Sequence, residues 1–261
     1  MFHFFQTHLE NCKRVHIKCI NNCGRTDIPR DQVKTIAAKK IQTQICKLEI
    51  VLICKLHSNY LTSFSKTKLL LPHVKSVCKS AFYHLRNISR IRKLLSTKTT
   101  ETLVHAFVTS KLDHCNSLLY GVPKYVIQKL QSVQNAAARL ITSSRKFDRI
   151  TPVLFDLHWL PISERIKFKI ILLKHKALHQ QSPIYIQDLI RRYSTSRTLR
   201  SSSTLRLTPV NFNLKSYGYR AFTVSAPELW NKLPDDIRSC DNLNLFKRKL
   251  KTHLFKNYFN A

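Results

Sequence analysis

Residues 123–142 read PKYVIQKLQSVQNAAARLIT, and this stretch decides the fold class of the chain. Its apolar residues recur every three or four positions, as on one buried helical face, and Pro123 suits the first helical turn. The predicted inward face consists of Val126, Ile127, Leu130, Val133, Ala137, Leu140 and Ile141. Because the alanines at 136–138 are small, another helix can approach closely. The stretch therefore predicts a helix that packs tightly against a second one.

The neighbouring segments continue the helical pattern. Apolar spacing predicts helices over 74–95 and 99–112, and in the second of these Leu103, Ala106 and Phe107 are expected to point inward. A further helix is predicted to begin at Ser163, which suits a cap, and a short one follows Pro183. Only three glycines occur among 261 residues, which also favours helix over turn-rich β structure.

Two more helices are predicted near the end of the chain. Ser225 and Glu228 have the spacing of a capping box, and Asp241 is a candidate cap for a terminal amphipathic helix. Alternating residues in LRLTPVNFN (205–213) and YRAFTVS (219–225) allow one short hairpin. We therefore predict a mainly α protein: a helical bundle and a C-terminal α segment with at most one short β hairpin.

Composition divides the chain into five regions. Residues 1–68 lack long-range periodicity and read as an unrelated or poorly ordered N-terminal segment, with five of the eight cysteines at Cys12, Cys19, Cys23, Cys46 and Cys54. A helical region over 69–148 continues over 149–190. Residues 191–210 form a linker rich in Ser, Thr and Arg. Residues 211–261 are a C-terminal extension that ends in the basic amphipathic helix.

The charge balance points to a polyanionic partner. The chain has 45 Lys and Arg against 14 Asp and Glu, a formal charge of +31, which favours the backbone of RNA or DNA. The alternative is a solvated basic surface without a specific ligand. Candidate phosphate-binding residues lie on the 74–95 helix, in the linker and on the terminal helix: Lys75, Lys79, Arg86, Arg90 and Lys93; Arg191, Arg192, Arg197, Arg200 and Arg206; Lys247, Arg248 and Lys251. None of these sets implies base recognition.

Catalytic and metal motifs are weak. The adjacent Asp235 and Asp236 follow Leu233-Pro234 and fit the start of a turn or helix better than a metal-binding carboxylate pair. His16, Cys19 and Cys23, with Cys12 nearby, have zinc-binding types but no Cys-x-x-Cys pairing, so incidental thiols are favoured. His158-Trp159 is expected to bury the indole in packing. We expect no catalytic residue, no metal and no cofactor.

The sequence favours an intracellular protein, nuclear or cytoplasmic and not secreted. The N-terminus, MFHFFQTHLENCKR, lacks the pattern of a secretory signal, so the cysteines are expected to be reduced thiols. The most apolar stretch, ICKLEIVLICKL at 45–56, is too short and too charged to span a bilayer. No membrane association is expected.

Four long strings carry a family resemblance: SKLDHCNSLLYGVPKYVIQKLQSVQNAAARLIT (110–142), ITPVLFDLHWLPISERIKFKIILLKHKAL (150–178), SAPELWNKLP (225–234) and FKRKLKTHLF (246–255). Together they resemble the region after the catalytic palm in reverse transcriptases of non-LTR (LINE-type, jockey-like) retrotransposons, over about residues 69–258. The resemblance implies a helical thumb that holds a template–primer duplex by its backbone, followed by a C-terminal extension. The family's signature of an aromatic residue, a variable residue and two aspartates is missing.

Three interpretations remain open. The first is a truncated RNA-directed DNA polymerase fragment that retains sequence-independent nucleic-acid binding but cannot polymerise alone. The second is a fragment that works beside a palm supplied by another chain. The third is a structural or protein-interaction module whose amphipathic helices bind a partner helix.

Overall fold

The computed structural model describes residues 66–190, 206–208, 210 and 218–260, which belong to one compact unit. Predictions for the N-terminal segment before residue 66, including the stretch at 45–56, and for most of the 191–210 linker lie outside these residues. The described residues are mainly helical and include no β strand. The helices follow in this order: α1 (Lys66–Ile91), α2 (Thr97–Val104), α3 (Ser110–Asp113), α4 (Lys124–Thr142), α5 (Ile150–Asp156), α6 (Ile162–Leu178), α7 (Ile184–Gln187), α8 (Phe222–Asn231), α9 (Asp235–Arg238) and α10 (Leu243–Phe259).

The packing of α1 against α4 confirms the close helix pair that the alanine-containing stretch predicts. Val126, Leu130, Val133, Ala137 and Ile141 of α4 are all buried, as expected. From α1 the buried residues are Val74, Ala81, Leu85 and Ile88. Burial of the Val, Leu and Ile side chains among them is worth about 1.5–3 kcal/mol each, less the entropy of ordering them. The α1–α4 contact is therefore a main part of the core.

The ends of α1 and α4 differ from the prediction in detail. α1 begins earlier than expected and includes Pro72, and it ends at Ile91 before a 3₁₀ turn, Arg92–Leu94. The guanidinium of Arg92 donates to the carbonyl oxygens of Leu140 and Ile141, at 3.0 and 2.9 Å. A cation at a helix C-terminus stabilises the free carbonyls there. Arg92 thus fastens the end of α1 to the end of α4.

The inward face predicted for 99–112 is wrong in part. Ala106 and Phe107 are exposed, whereas Val104 and Val108 are buried. The buried face already differs before the π-helical turn at His105–Thr109, since Thr100 and Val104 of α2 are buried; the turn itself continues α2 into α3. Because a π turn holds more residues than an α turn, every side chain after it moves around the helix axis.

A second group of helices surrounds α6, which packs against α4, α8 and α10. Ile166, Ile170, Leu173 and Ala177 are buried, as predicted. Ser163 is not the cap: the helix begins at Ile162 after Pro161, and Ser163 lies exposed in the first turn. Because Pro161 lacks an amide hydrogen and has a fixed φ, it precedes a helix without losing a hydrogen bond.

His175 of α6 lies in the core of this second group. Its Nε2–H donates to the carbonyl oxygen of Cys240 at 2.7 Å, and its ring stacks on Phe246 with 3.9 Å between centroids. Burial lowers the pKa of His175, against the opposing effect of the Cys240 hydrogen bond. Burial of the ring therefore disfavours the charged form of this imidazole.

The prediction of a capping box at Ser225 is wrong, and so is the prediction of a strand at 219–225. α8 begins at Phe222, and Ser225 and Pro227 are buried inside the helix. Glu228 lies within the helix and pairs with Lys232 at 2.6 Å instead of reaching back to Ser225. Trp230 of α8 is completely buried, and α8 packs against α6. Tertiary packing has therefore extended the helix towards its N-terminus past the local cap signal.

The terminal helix forms as predicted, but its cap is one residue later. Asn242, not Asp241, accepts hydrogen bonds from the amides of Asn244 and Leu245. The expected inward residues Phe246, Leu250 and Leu254 are buried. Before it, Asp235 and Asp236 occupy the first turn of α9, where an acidic residue is favourable. These aspartates occupy the start of a helix, as the sequence predicts.

Candidate nucleic-acid interface

Four of the predicted phosphate-binding residues form an exposed row along α1. Lys75, Lys79, Arg86 and Arg90 follow one another at intervals of four, seven and four positions and so lie on one side of the helix. Lys93 is also exposed but belongs to the 3₁₀ turn after α1. We call these five residues the α1 stripe. None of them forms an ion pair with another described residue.

The positive charge of α1 is not compensated by its neighbour α4. Neither helix contains an aspartate or glutamate, and α4 adds exposed lysines at Lys124 and Lys129. Nearby in sequence, the carboxylate of Asp113 is paired with Arg165 at 3.0 Å. With no carboxylate on either helix, exposed cations on both add to one positive field. This pair of helices is the candidate interface.

A pocket of about 310 Å³ lies between α1 and α4. Its lining consists of Lys75, Cys78 and Phe82 from α1 with Lys129 and Ser132 from α4. Burial raises the pKa of the Cys78 thiol, and the positive charge of Lys129 partly opposes this. The Lys129 ammonium is thus close enough to α1 to act on a residue of that helix. We call this feature the α1–α4 groove.

Exposed aromatic rings accompany the stripe. The side chain of Phe82 is 40% exposed and that of Tyr83 is 60% exposed. Tyr83 meets His84 edge to face, and His84 stacks on Phe107 with 5.4 Å between centroids. Phe82, unlike Tyr83, shares the α1–α4 groove with Lys75 and Lys129, and a cation beside an exposed aromatic face suits phosphate binding and base stacking.

The other predicted cationic residues lie elsewhere. Arg191, Arg192, Arg197 and Arg200 fall outside the described residues, and Arg206 is exposed. On α10, Arg248 and Lys251 are exposed and Lys247 is half-buried. α10 packs against α6, whereas the stripe lies on a helix that packs against α4. The role of these residues in binding stays a prediction.

The exposed end of α10 meets α5 in an aromatic cluster that the sequence did not indicate. Phe255 lies 5.3 Å from Phe155 and 4.5 Å from Phe259 between ring centroids. Phe155 is 47% exposed and Tyr258 is 44% exposed. We call these four residues the α5–α10 aromatic cluster. Its position, unlike the stripe, depends on a contact between distant parts of the chain.

Of the residues that line the α1–α4 groove, sequence reasoning predicted only Lys75 as a site residue, and it missed Phe82 and Lys129 for different reasons. Phe82 follows Lys75 by seven residues and Lys79 by three, so helical spacing alone places it with the stripe. Lys129 belongs to another helix, and only the tertiary contact brings it to the groove.

The remaining observations concern Trp159, the cysteines, metal ligands and membrane spans. The indole of Trp159 is buried, which confirms its packing role. Cys78 and Cys240 are free thiols. In the part of the chain that is described, no three His, Cys, Asp or Glu side chains come together as metal ligands. Across the same residues, every helix is too short or too polar to cross a bilayer.

Comparison of the chain with protein-family models, curated proteins and solved structures finds no match. The geometry of the α1–α4 pair is therefore the main evidence on function beyond the sequence.

Proposed function

We propose that this protein binds the backbone of RNA or DNA without sequence preference. We further propose that it derives from the region after the palm of a non-LTR retrotransposon reverse transcriptase, as a fragment without polymerase activity of its own. The observation that supports binding is the α1 stripe, exposed on a helix that contains no acidic residue and packs against another such helix.

The physical reason is the release of counterions. Each phosphate neutralised by a lysine or arginine releases condensed cations, so affinity rises with the number of exposed cations that reach the backbone. The stripe cations break no ion pair with another described residue when they bind. Recognition of this kind follows the backbone and does not read base edges.

A salt titration tests the proposal directly. Fluorescence anisotropy of the full chain with labelled RNA and DNA is measured between about 50 and 200 mM salt. If six to ten phosphates are contacted, the association constant is expected to fall about 10³- to 10⁵-fold over this range. A response that is flat with salt would reject backbone binding.

A second candidate function is a protein-interaction module. The observation that favours it is the α5–α10 aromatic cluster, since large exposed rings are enriched at interfaces. Exchanging Phe155 and Tyr258 for serine would then abolish binding to a protein partner, while charge reversal of the α1 stripe would leave that binding intact. The opposite pattern would reject this second function.

A further inference from the structure

The α1–α4 groove has a composition that a purely phosphate-binding surface does not need. Phe82 and Cys78 give it an apolar lining, and Lys75 and Lys129 give it positive charge. Its volume is about 310 Å³, and the groove is open to solvent. Such a groove suits one small group that is flat and apolar in one part and anionic in another.

The positions of the two lysines indicate more closely which chemical group fits the groove. Lys75 comes from α1 and Lys129 from α4, so the groove receives positive charge from both helices. No acidic side chain on either helix competes with an incoming anion. A nucleotide within a strand has the matching chemistry, because its sugar carries a flat aromatic base and is linked to a phosphate on either side.

A nucleotide within a duplex does not present its base in this way. Its faces are stacked on neighbours, and only the edges and the backbone are open. An unpaired nucleotide exposes a face that can stack on an aromatic side chain. Phe82 is 40% exposed and lines the groove with the two lysines.

We propose that the α1–α4 groove takes up one unpaired nucleotide from a bound single strand of RNA or DNA. The base stacks on the ring of Phe82, and the flanking phosphates pair with Lys75 and Lys129. This inference rests on the proposed function but goes beyond it, because backbone binding alone does not select single strands.

The first test compares Phe82→Ala with the unchanged chain on two labelled probes. These are a single strand of about 12 thymidines or uridines and a duplex of equal length. Loss of the stacking ring is expected to weaken single-strand binding about 5- to 150-fold. Duplex binding should change less than about twofold, because the lysines remain.

The matched control is Tyr83→Ala. Tyr83 is the next residue of α1, has a more exposed ring and does not line the groove. Its removal should leave single-strand binding within about twofold, a change of less than about 0.5 kcal/mol. Circular dichroism melting checks the fold of each variant. If Phe82→Ala does not fold, Phe82→Leu keeps most of the side-chain volume without the aromatic face and should show the same selective loss.

A second test needs no substitution. Cys78 is partly exposed and lines the groove, so maleimide labelling of this thiol, located by mass spectrometry, reports occupancy. The single-stranded probe is expected to protect Cys78 from labelling, and the duplex is not. Thymidine and uridine probes compared at equal saturation show whether DNA or RNA occupies the groove.

Two outcomes separate this inference from the proposed function. If single strands bind with the expected salt dependence but Phe82→Ala has no effect and Cys78 stays reactive, the groove proposal is overturned and backbone binding stands. If neither probe binds at low salt, both proposals fail. Equal losses from Phe82→Ala and Tyr83→Ala would also overturn a specific role for the groove.

Discussion

Neutralising part of the α1 stripe is the perturbation that tests the proposed interface most directly. In the triple variant Lys75→Gln, Lys79→Gln and Arg86→Gln, each exchanged side chain is exposed and none pairs with another described residue. Exposed substitutions of this kind change folding stability by at most about 0.5 kcal/mol each. Any large loss of binding is then a loss of charge at the interface.

The expected size of the effect follows from the number of contacts removed. If each of the three side chains neutralises one phosphate, the slope of log affinity against log salt becomes shallower by about 2.1 for a single strand and 2.7 for a duplex. With the affinity at 1 M salt unchanged, the same slopes correspond to about a 100- to 500-fold weaker association at 100 mM salt.

The assay is anisotropy over the same range of salt, with a control of equal charge. The control triple, Lys98→Gln, Lys146→Gln and Arg149→Gln, removes three exposed cations that do not belong to the stripe. The control variant should keep the slope of log affinity against log salt, and its affinity should fall much less than that of the stripe variant. An equal effect of both triples would show that only net charge matters, and an unchanged slope in the stripe variant would refute the α1 stripe as the interface.

Three further predictions concern stability, each measured by urea unfolding. Gly121→Ala should lower the free energy of unfolding by about 1–2 kcal/mol, because φ is +67° at this position and a Cβ would lie 2.8 Å from Cγ of Arg220. Asn242→Ala should lower the free energy of unfolding by about 0.5–2 kcal/mol, because the Asn242 side chain caps α10. Asp241→Ala should leave it almost unchanged, and equal losses in the two variants would contradict the observed cap. Stability should also fall as the pH drops below about 6.5, because the unfolded chain then binds protons more tightly than the folded chain, in which the pKa values of five histidines are lowered. Burial lowers the pKa of each of these histidines, which are His73, His84, His114, His175 and His253. A free energy of unfolding that stays constant between about pH 7.5 and 5 would contradict this prediction.

Local pattern predicted the helices well where one face is consistently apolar. The stretch from Pro123 to Thr142 repeats its apolar residues at helical spacing, and α4 forms over it with the expected residues buried. The same reasoning placed Phe246, Leu250 and Leu254 on the inner face of α10. Helical spacing is a property of neighbouring residues, so no knowledge of distant contacts is needed.

Helix starts and local irregularities were harder to predict. Ser163, Ser225 and Asp241 all have side chains that suit a cap, yet each helix begins at another residue. The free energy of one cap is about 1 kcal/mol, less than that gained by burying a large side chain such as Trp230. The π turn at His105–Thr109 likewise has no signal in apolar spacing.

By itself, the sequence determined that this protein is mainly helical, strongly basic and equipped with a row of cations on its first described helix. Those properties depend on composition and on the spacing of near neighbours. Only the tertiary structure decided that Lys129 joins Lys75 and Phe82 in one groove and that Phe155 meets Phe255. Both sites are assembled from helices far apart along the chain, so their members become neighbours only when the aliphatic side chains between those helices are buried together.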